Sequence, residues 1–138
     1  MVRVYLPPGS GFARISISDS KVYGNGHGIR ADDRSEVSIR NSSFSTNLNS
    51  GILAMSASQP VEITVDNCQV TNNGVANTSS GGIKANGALA SIVISDNTIS
   101  GNYNGITALN GADIFSFGSN RVSSNTVDGT PTGTLSSR

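Results

Sequence analysis

Several ingredients of ordinary folds and binding sites are scarce in this chain. Its 138 residues include no tryptophan, four prolines, one histidine and one cysteine, and charged residues make up 13% of it. A single cysteine, Cys68, excludes a disulfide within the chain. No apolar run is long enough to cross a membrane as a helix, so we expect no membrane span.

Charge is balanced as well as scarce. Nine basic residues stand against nine acidic ones, which gives a formal net charge of zero. Proteins that bind nucleic acid usually present a basic surface to the phosphates, so we expect no nucleic-acid partner. The first residues lack the charged and then apolar pattern of a secretory signal peptide, which leaves the compartment undecided.

What the chain has in abundance is an internal repeat, whose clearest copy runs from Ser91 to Ala108. This copy has a short apolar strand around Ile92, a turn, a second short strand at Ile99, another turn and a third strand that begins at Gly105. Strands this short cannot bury an apolar face alone. The copies are therefore expected to stack on one another, which buries the apolar residues in columns.

Five copies align, with apolar residues at three positions and asparagine at a fourth. The first apolar position holds Ile15, Val37, Ile63, Ile92 and Phe115, and the second holds Ile17, Ile39, Val65, Ile94 and Phe117. The third holds Val22, Phe44, Val70, Ile99 and Val122, and the asparagines are Asn25, Asn47, Asn73, Asn102 and Asn125. Four copies end in Gly-Ile-x-Ala, beginning at Gly28, Gly51, Gly82 and Gly105. The copies follow one another at intervals of 22, 26, 29 and 23 residues.

The alternative to a solenoid is a sandwich of antiparallel hairpins, because several Asn-Gly pairs are typical hairpin turns. Antiparallel pairing would need neither a fixed phase nor matching columns, whereas parallel stacking explains both. We therefore predict an all-β fold, a single-stranded parallel β-helix with three short parallel sheets. It has about five coils of 22–23 residues after a partial N-terminal coil.

With these columns the chain resembles the right-handed parallel β-helix of the pectin-lyase-like superfamily, in its carbohydrate-associated β-helix repeat form, over about residues 13–127. The resemblance implies that the Gly-Ile-x-Ala strands form a first sheet, the paired apolar strands a second and the single Val or Ile strands a third. Asn and Asp in the turn between the second and third sheets are expected to form ladders. Cys68 lies in this turn column, which favours a small filler over a reactive thiol.

We expect one domain and a tail. Residues 1–127 form the β-helix domain, in which residues 1–12 supply a partial first coil and its turn, with Val4 and Leu6 in the Ile and Ala columns of the first sheet. Residues 128–138, rich in Thr, Gly and Ser, are expected to be a flexible tail that could fold over Phe115 and Phe117.

The N-terminal edge of the predicted solenoid has no covering helix, although the β-helices that it resembles usually carry one. This absence suggests a fragment of a larger protein, or a chain capped by a partner. An uncovered edge presents unpaired N–H and C=O groups to another strand. We therefore expect self-association through residues 1–6, most simply as a dimer.

In the resembling enzymes the binding groove lies on the outer face of the first sheet, beside the turn that precedes it. Here the candidate substrate-binding residues are His27, Arg30, Asp32, Asp33 and Lys84. Arg30 and Lys84 are two coils apart, about 10 Å, so they could straddle two acidic groups of a polysaccharide but could not share one reacting atom. Scattered, solvated charges are the competing interpretation.

Catalytic chemistry has little support in the sequence. Neighbouring residues of an extended chain point in opposite directions, so Asp32 and Asp33 do not form a paired-carboxylate site. They are also too few for a calcium site. His27, between two glycines, is typical of a surface turn. The lyase and epimerase signatures of the resembling superfamily are absent, and we assign no catalytic residue, no metal and no cofactor.

Two insertions interrupt the repeat. Residues 74–81 enlarge the turn before the first-sheet strand of the third coil, and residues 55–62 enlarge the connection after that strand in the second coil. Insertions on a solenoid tend to mark its binding face. Drift in a tolerant loop explains them equally well.

The leading functional hypothesis is a non-catalytic β-helix that serves as a scaffold or binds glycans weakly on its first-sheet face. The alternative is a lyase, hydrolase or epimerase that acts on an acidic polysaccharide, with His27, Arg30 and Lys84 at its site. The resemblance implies an extracellular or periplasmic location and a polysaccharide partner.

Overall fold

The fold is a solenoid of sixteen short strands, as a computed structural model of the chain shows for residues 1–4, 9–75 and 78–136. The strands are numbered in chain order, and all pairings are parallel. The first sheet contains β1 (Val2–Val4), β4 (Ile29–Ala31), β7 (Ile52–Met55), β10 (Gly81–Asn86) and β13 (Asn104–Leu109). The second contains β2 (Ala13–Ser18), β5 (Ser35–Arg40), β8 (Val61–Asp66), β11 (Ala90–Ser95), β14 (Asp113–Phe117) and β16 (Gly133–Leu135). The third contains β3 (Lys21–Tyr23), β6 (Ser43–Ser45), β9 (Gln69–Thr71), β12 (Thr98–Ser100) and β15 (Arg121–Ser123).

From β1 to β15 the chain visits the three sheets in rotation, one strand in each, so successive coils stack in order along each sheet. After β15, a single bridge from Val127 to Asn104 takes the place of a first-sheet strand, and β16 then joins the second sheet. The predicted all-β parallel solenoid is confirmed. Among the residues that the structure describes, no helix could span a membrane.

Alternation along each strand separates the interior from the surface. In β8, Val61, Ile63 and Val65 are at most 1% exposed, whereas Glu62 and Thr64 between them face solvent. Each interior side chain stacks on its counterparts in the neighbouring coils, as parallel in-register pairing requires. Burial of these aliphatic columns is the main source of stability, at about 25 cal/mol per Å² of apolar surface.

The asparagine column forms a continuous hydrogen-bonded ladder. The backbone N–H of Asn47 donates to the Oδ1 of Asn73 at 3.1 Å, and that of Asn73 donates to the Oδ1 of Asn102 at 2.9 Å. The side-chain Nδ2 groups donate along the same direction, at 2.8 and 2.9 Å. Asp128 ends the ladder, because its Oδ1 accepts from both the backbone N–H and the Nδ2 of Asn125 at 3.0 and 2.9 Å.

The ladder explains the glycines of the Gly-Ile-x-Ala units. A Cβ on Gly51 would lie 2.9 Å from the Nδ2 of Asn73 and 2.9 Å from the carbonyl oxygen of Gly82. A Cβ on Gly82 would lie 2.9 Å from the Nδ2 of Asn102. Any larger residue would therefore push the ladder and the next coil away.

A second ladder follows the turn between the second and third sheets, and residues of three types serve as its acceptors. The N–H of Ser20 donates to Ser42 Oγ at 3.2 Å, that of Ser42 donates to Cys68 Sγ at 3.4 Å, and that of Cys68 donates to Asn97 Oδ1 at 2.9 Å. Burial raises the pKa of the Cys68 thiol above its ordinary value. The thiol is therefore neutral at pH 7 and acts as a small acceptor in the ladder.

The predicted register of the fifth coil is wrong by one residue. Ile92 pairs with Ile114 rather than Phe115, and Ile114 is fully buried. Phe115 and Phe117 consequently lie on the outer side of the second sheet, where they are only partly buried. The turn after β14 has one residue more than its counterparts, so counting back from Val122 gives the wrong strand phase.

The N-terminal segment does form a partial coil, but its predicted register is also wrong. Val2 pairs with Ile29 and Val4 with Ala31, so Val4 occupies the Ala column instead of the Ile column. Leu6, predicted for the Ala column, lies outside the described residues. Among the described strands β1 pairs only with β4, which places it at the edge of the first sheet.

The segment assigned to the tail contributes a strand. Strand β16 pairs with β14, with Phe115 opposite Gly133 and Phe117 opposite Leu135. Thr132 Oγ1 accepts a hydrogen bond from the N–H of Ile114 at 2.9 Å. The predicted division at residue 127 and the flexibility of the tail stay predictions.

Candidate functional site

The outer face of the first sheet presents a row of side chains in register. Arg3, Arg30, Leu53, Lys84 and Thr107 occupy successive strands at the same position. Adjacent strands are about 4.8 Å apart, and Arg30 and Lys84 lie on either side of the strand that carries Leu53. Leu53 is only 2% exposed although it points outward. The row therefore has a covered apolar centre with cationic residues on both sides.

Asp32 is held between two arginines. Its Oδ1 lies 2.8 Å from Arg30 Nε, and its Oδ2 lies 3.0 Å from Arg3 Nε. The Asp32 side chain is 18% exposed, and that of Arg30 is 29% exposed. Both carboxylate oxygens are thus engaged in ion pairs, which leaves Asp32 poorly placed to take a proton from a substrate.

His27 lies in the turn before β4 and is held by the next coil. Its Nδ1 accepts a hydrogen bond from the backbone N–H of Ser50 at 3.3 Å. Burial lowers the pKa of His27 below its ordinary value, the charges of Arg30 and Lys84 lower it further, and Asp32 opposes them. The ring is therefore neutral at pH 7, and with Nδ1 accepting we assign its proton to Nε2. His27 offers a hydrogen-bond donor at Nε2 rather than a base.

Asp33 points away from Asp32 and organises the first insertion, residues 55–62. Its carboxylate accepts hydrogen bonds from the N–H of Ala57 at 2.7 Å, the N–H of Ser58 at 3.1 Å and the Oγ of Ser58 at 3.2 Å. Burial acts to raise the pKa of Asp33, but these hydrogen bonds, with one from Gln59, bring it below its ordinary value. Asp33 is therefore a loop anchor.

Lys84 anchors the second insertion. Its Nζ donates to the carbonyl oxygen of Ser79 at 2.6 Å, and burial lowers its pKa below the ordinary value. Asn104 holds the same loop, because its Nδ2 donates to the carbonyl oxygens of Thr78 and Ser80 at 2.8 and 2.9 Å. Positions 76 and 77 of this insertion are outside the described residues.

The structure thus brings four of the five candidates, His27, Arg30, Asp32 and Lys84, together on one face, and Asp33 faces a neighbouring loop. Within the described ranges, no three His, Cys, Asp or Glu side chains are grouped as metal ligands would be. The arrangement can attract and orient an anionic ligand, and among the described side chains of this face no unpaired carboxylate lies beside a free base.

Sequence reasoning missed a cavity of about 650 Å³ on another side of the solenoid. This corner groove follows the turn between the second and third sheets through four coils. The residues that line it include the polar side chains of Asp19, Lys21, Asn41, Asn67, Gln69 and Asp96. The turn column was predicted from the Asn and Asp pairs, but a turn pattern alone does not indicate a cavity.

A comparison with family models agrees with the architecture. The model of the right-handed beta helix region matches residues 5–135. No curated protein and no solved structure matched the chain at a significant level. Because the match covers nearly the whole chain and the three parallel sheets agree with it, the chain belongs to the right-handed β-helix family.

Proposed function

We propose that this chain is a non-catalytic β-helix scaffold that binds acidic glycans weakly through the outer face of its first sheet. The observation that supports this function most is the charge of that face. Arg3, Arg30 and Lys84 lie in one row, and Asp32 forms ion pairs with the two arginines, so the row carries more positive than negative charge. A chain of uronate units is the class of ligand that such a face would attract.

The enzymatic alternative has weaker support. A lyase or epimerase needs a base beside the sugar carbon, and a hydrolase needs an acid with a second carboxylate. Asp32 is paired with two arginines, Asp33 holds a loop, and Nδ1 of His27 is already occupied by Ser50. Each candidate group is thus engaged in holding the β-helix or its loops.

The proposal is tested with polygalacturonate as the acidic probe. We expect Arg30→Ala to weaken binding about two- to fivefold, as is usual for an exposed ion pair, and Arg30→Ala with Lys84→Ala to weaken it further. Added salt should weaken binding by the wild type, because it screens exposed charges. Affinity electrophoresis in gels that contain the polymer measures both effects.

The matched control is the double variant Arg40→Ala with Arg121→Ala, which removes the same charge from exposed positions on the other two sheets. Equal affinities for the wild type and the Arg30/Lys84 variant would exclude the first-sheet face. Release of unsaturated uronate or reducing ends from the polymer would favour the enzymatic alternative.

Self-association through the N-terminal edge stays a prediction with its own test. Val2 is 39% exposed on the edge strand β1, so Val2→Lys places a charge where a second strand would pair. We expect light scattering at micromolar concentration to show an oligomer for the wild type and a smaller species for Val2→Lys. Val127→Lys, at a 51% exposed position near the other end, is the control. A monomeric wild type would contradict the prediction.

A further inference from the structure

The corner groove has features of a binding site that the first-sheet face lacks. Its polar residues come from two parallel columns, one in the turn and one on the outer side of the third sheet. The turn column holds Asp19, Asn41, Asn67 and Asp96, and the sheet column holds Lys21, Ser43, Gln69 and Thr98. We propose that this groove binds a neutral, linear oligosaccharide.

The turn column is built identically in four successive coils. Asp19, Asn41, Asn67 and Asp96 all have left-handed backbone, with φ of 51°, 49°, 48° and 54°. The same backbone conformation in each coil places the four side chains in one row along the solenoid axis. Asn67 Nδ2 donates to Asn41 Oδ1 at 2.9 Å, which aligns the two central amides. The row is therefore a repeated and ordered surface.

Most of the side-chain hydrogen-bonding groups of the turn column and the sheet column have no partner within the described part of the protein. In residues 1–4, 9–75 and 78–136, the side chains of Asp19, Lys21, Gln69 and Asp96 have no hydrogen-bond or ion-pair partner. On the first-sheet face, by contrast, Asp32 is fully engaged. Polar groups that line a cavity without protein partners are available to a ligand.

The groups present select the kind of ligand. Amides, hydroxyls, carboxylates and one ammonium group can donate to and accept from sugar hydroxyls, which are both donors and acceptors. Two carboxylates, Asp19 and Asp96, against the single cation Lys21 disfavour an anionic ligand. A neutral sugar chain can form these hydrogen bonds and carries no negative charge for the two carboxylates to repel.

The length of the row selects a linear chain. Four coils at about 4.8 Å place its ends about 14 Å apart, which is enough for several sugar units in extended conformation. The volume of about 650 Å³ lies within the range of small-ligand sites. None of the described residues that line the groove is aromatic, so binding depends on hydrogen bonds and is weak.

This inference concerns another surface and an uncharged ligand, so it goes beyond the proposed binding of acidic glycans. The two can fail separately. Acidic-glycan binding should weaken with salt and with Arg30→Ala, whereas binding in the corner groove should respond to neither. A variant in one site therefore serves as a control for the other.

The experiment is titration of the isotope-labelled protein with cellohexaose, xylohexaose and mannohexaose at millimolar concentration, followed by amide chemical shifts. We expect at least one of them to shift the amides of Asn41, Asn67 and Gln69, with the same apparent affinity at high salt. Gln69→Ala should weaken that affinity about three- to tenfold, which corresponds to one hydrogen bond. Asn67→Gly should weaken the affinity by a similar factor, and glycine is chosen because it tolerates the left-handed backbone at this position.

Thr71→Ala is the matched control, because Thr71 lies on β9 with Gln69 but outside the groove lining. Wild-type affinity in Thr71→Ala, with unchanged thermal unfolding in all variants, supports the assignment. The proposal is overturned if none of the three sugars shifts the groove amides. It is also overturned if Gln69→Ala and Thr71→Ala weaken binding equally, or if the shifts map to the first-sheet face.

Discussion

Asn73→Ala should lower the free energy of unfolding by about 3 kcal/mol or more, because several buried polar groups lose their partners at once. Asn73 is fully buried, and its Oδ1 accepts from the N–H and the Nδ2 of Asn47 at 3.1 and 2.8 Å. Its Nδ2 donates to the carbonyl oxygen of Phe44 and to Asn102 Oδ1, each at 2.9 Å. Alanine satisfies none of these groups, and each unpaired one costs about 1–3 kcal/mol.

Urea unfolding of three variants measures the effect. Asn73→Asp keeps the acceptor but places a second oxygen against the Phe44 carbonyl, so we expect a loss comparable to that of alanine. Asn25→Ala is the control, because Asn25 lies at the partly exposed end of the ladder. We expect a loss below about 1 kcal/mol for this control. Equal losses at positions 25 and 73 would contradict the role assigned to the buried ladder.

Ile83→Ala should cost about 2–5 kcal/mol, the usual range for truncation of a buried isoleucine. Ile83 is 1% exposed and stacks between Ile52 and Ile106 in the first sheet. The parallel strands on both sides keep the coils at a fixed spacing, so the cavity cannot collapse easily. This limited relaxation favours the upper part of the range.

Val75→Ala is the control for the isoleucine column, because Val75 is 68% exposed in the second insertion. A change within about 0.5 kcal/mol is expected there. Thermal and urea unfolding of both variants gives the comparison. If Ile83→Ala lowers the free energy of unfolding by less than about 1 kcal/mol, the prediction that this buried column stabilises the fold is wrong.

The architecture could be predicted because the same pattern recurs in every coil. One coil alone is ambiguous, since a short Ile-x-Ile strand fits a hairpin as well as a solenoid. Recurrence of Asn47, Asn73 and Asn102 at one phase, across insertions of different length, is expected only if coils stack in parallel. The ladder hydrogen bonds now give the physical reason for that recurrence.

The fifth coil shows where such reasoning fails. Phe115 and Phe117 alternate like core residues, yet Ile114 and Ser116 point inward. A shift of one residue moves every side chain of a strand to the other face, and a single extra turn residue produces that shift. Apolar pattern alone could not place the extra residue, because outward phenylalanines can be partly covered by a neighbour such as β16.

For the candidate site, the sequence predicts which face of the sheet each residue occupies but not which groups its side chain contacts. Strand phase places Arg30 and Lys84 on one face, but it does not say what long side chains will contact. Lys84 reaches a carbonyl of its own insertion, and Asp33 reaches the loop of another coil. These contacts depend on loop conformations that no repeat pattern encodes.

The direction of the asparagine ladder has a consequence for how the chain is made. Each N–H of the ladder donates to a side chain of the following coil, so a coil leaving the ribosome carries an unpaired donor until the next one is synthesised. The acceptor lies 22 to 29 residues further along the chain for the N–H groups of Asn25, Asn47, Asn73 and Asn102. For the N–H of Asn125 the acceptor is only three residues away, at Asp128 Oδ1. The rungs of the ladder can therefore close from the N-terminal end during synthesis, and Asp128 supplies the acceptor for the last N–H.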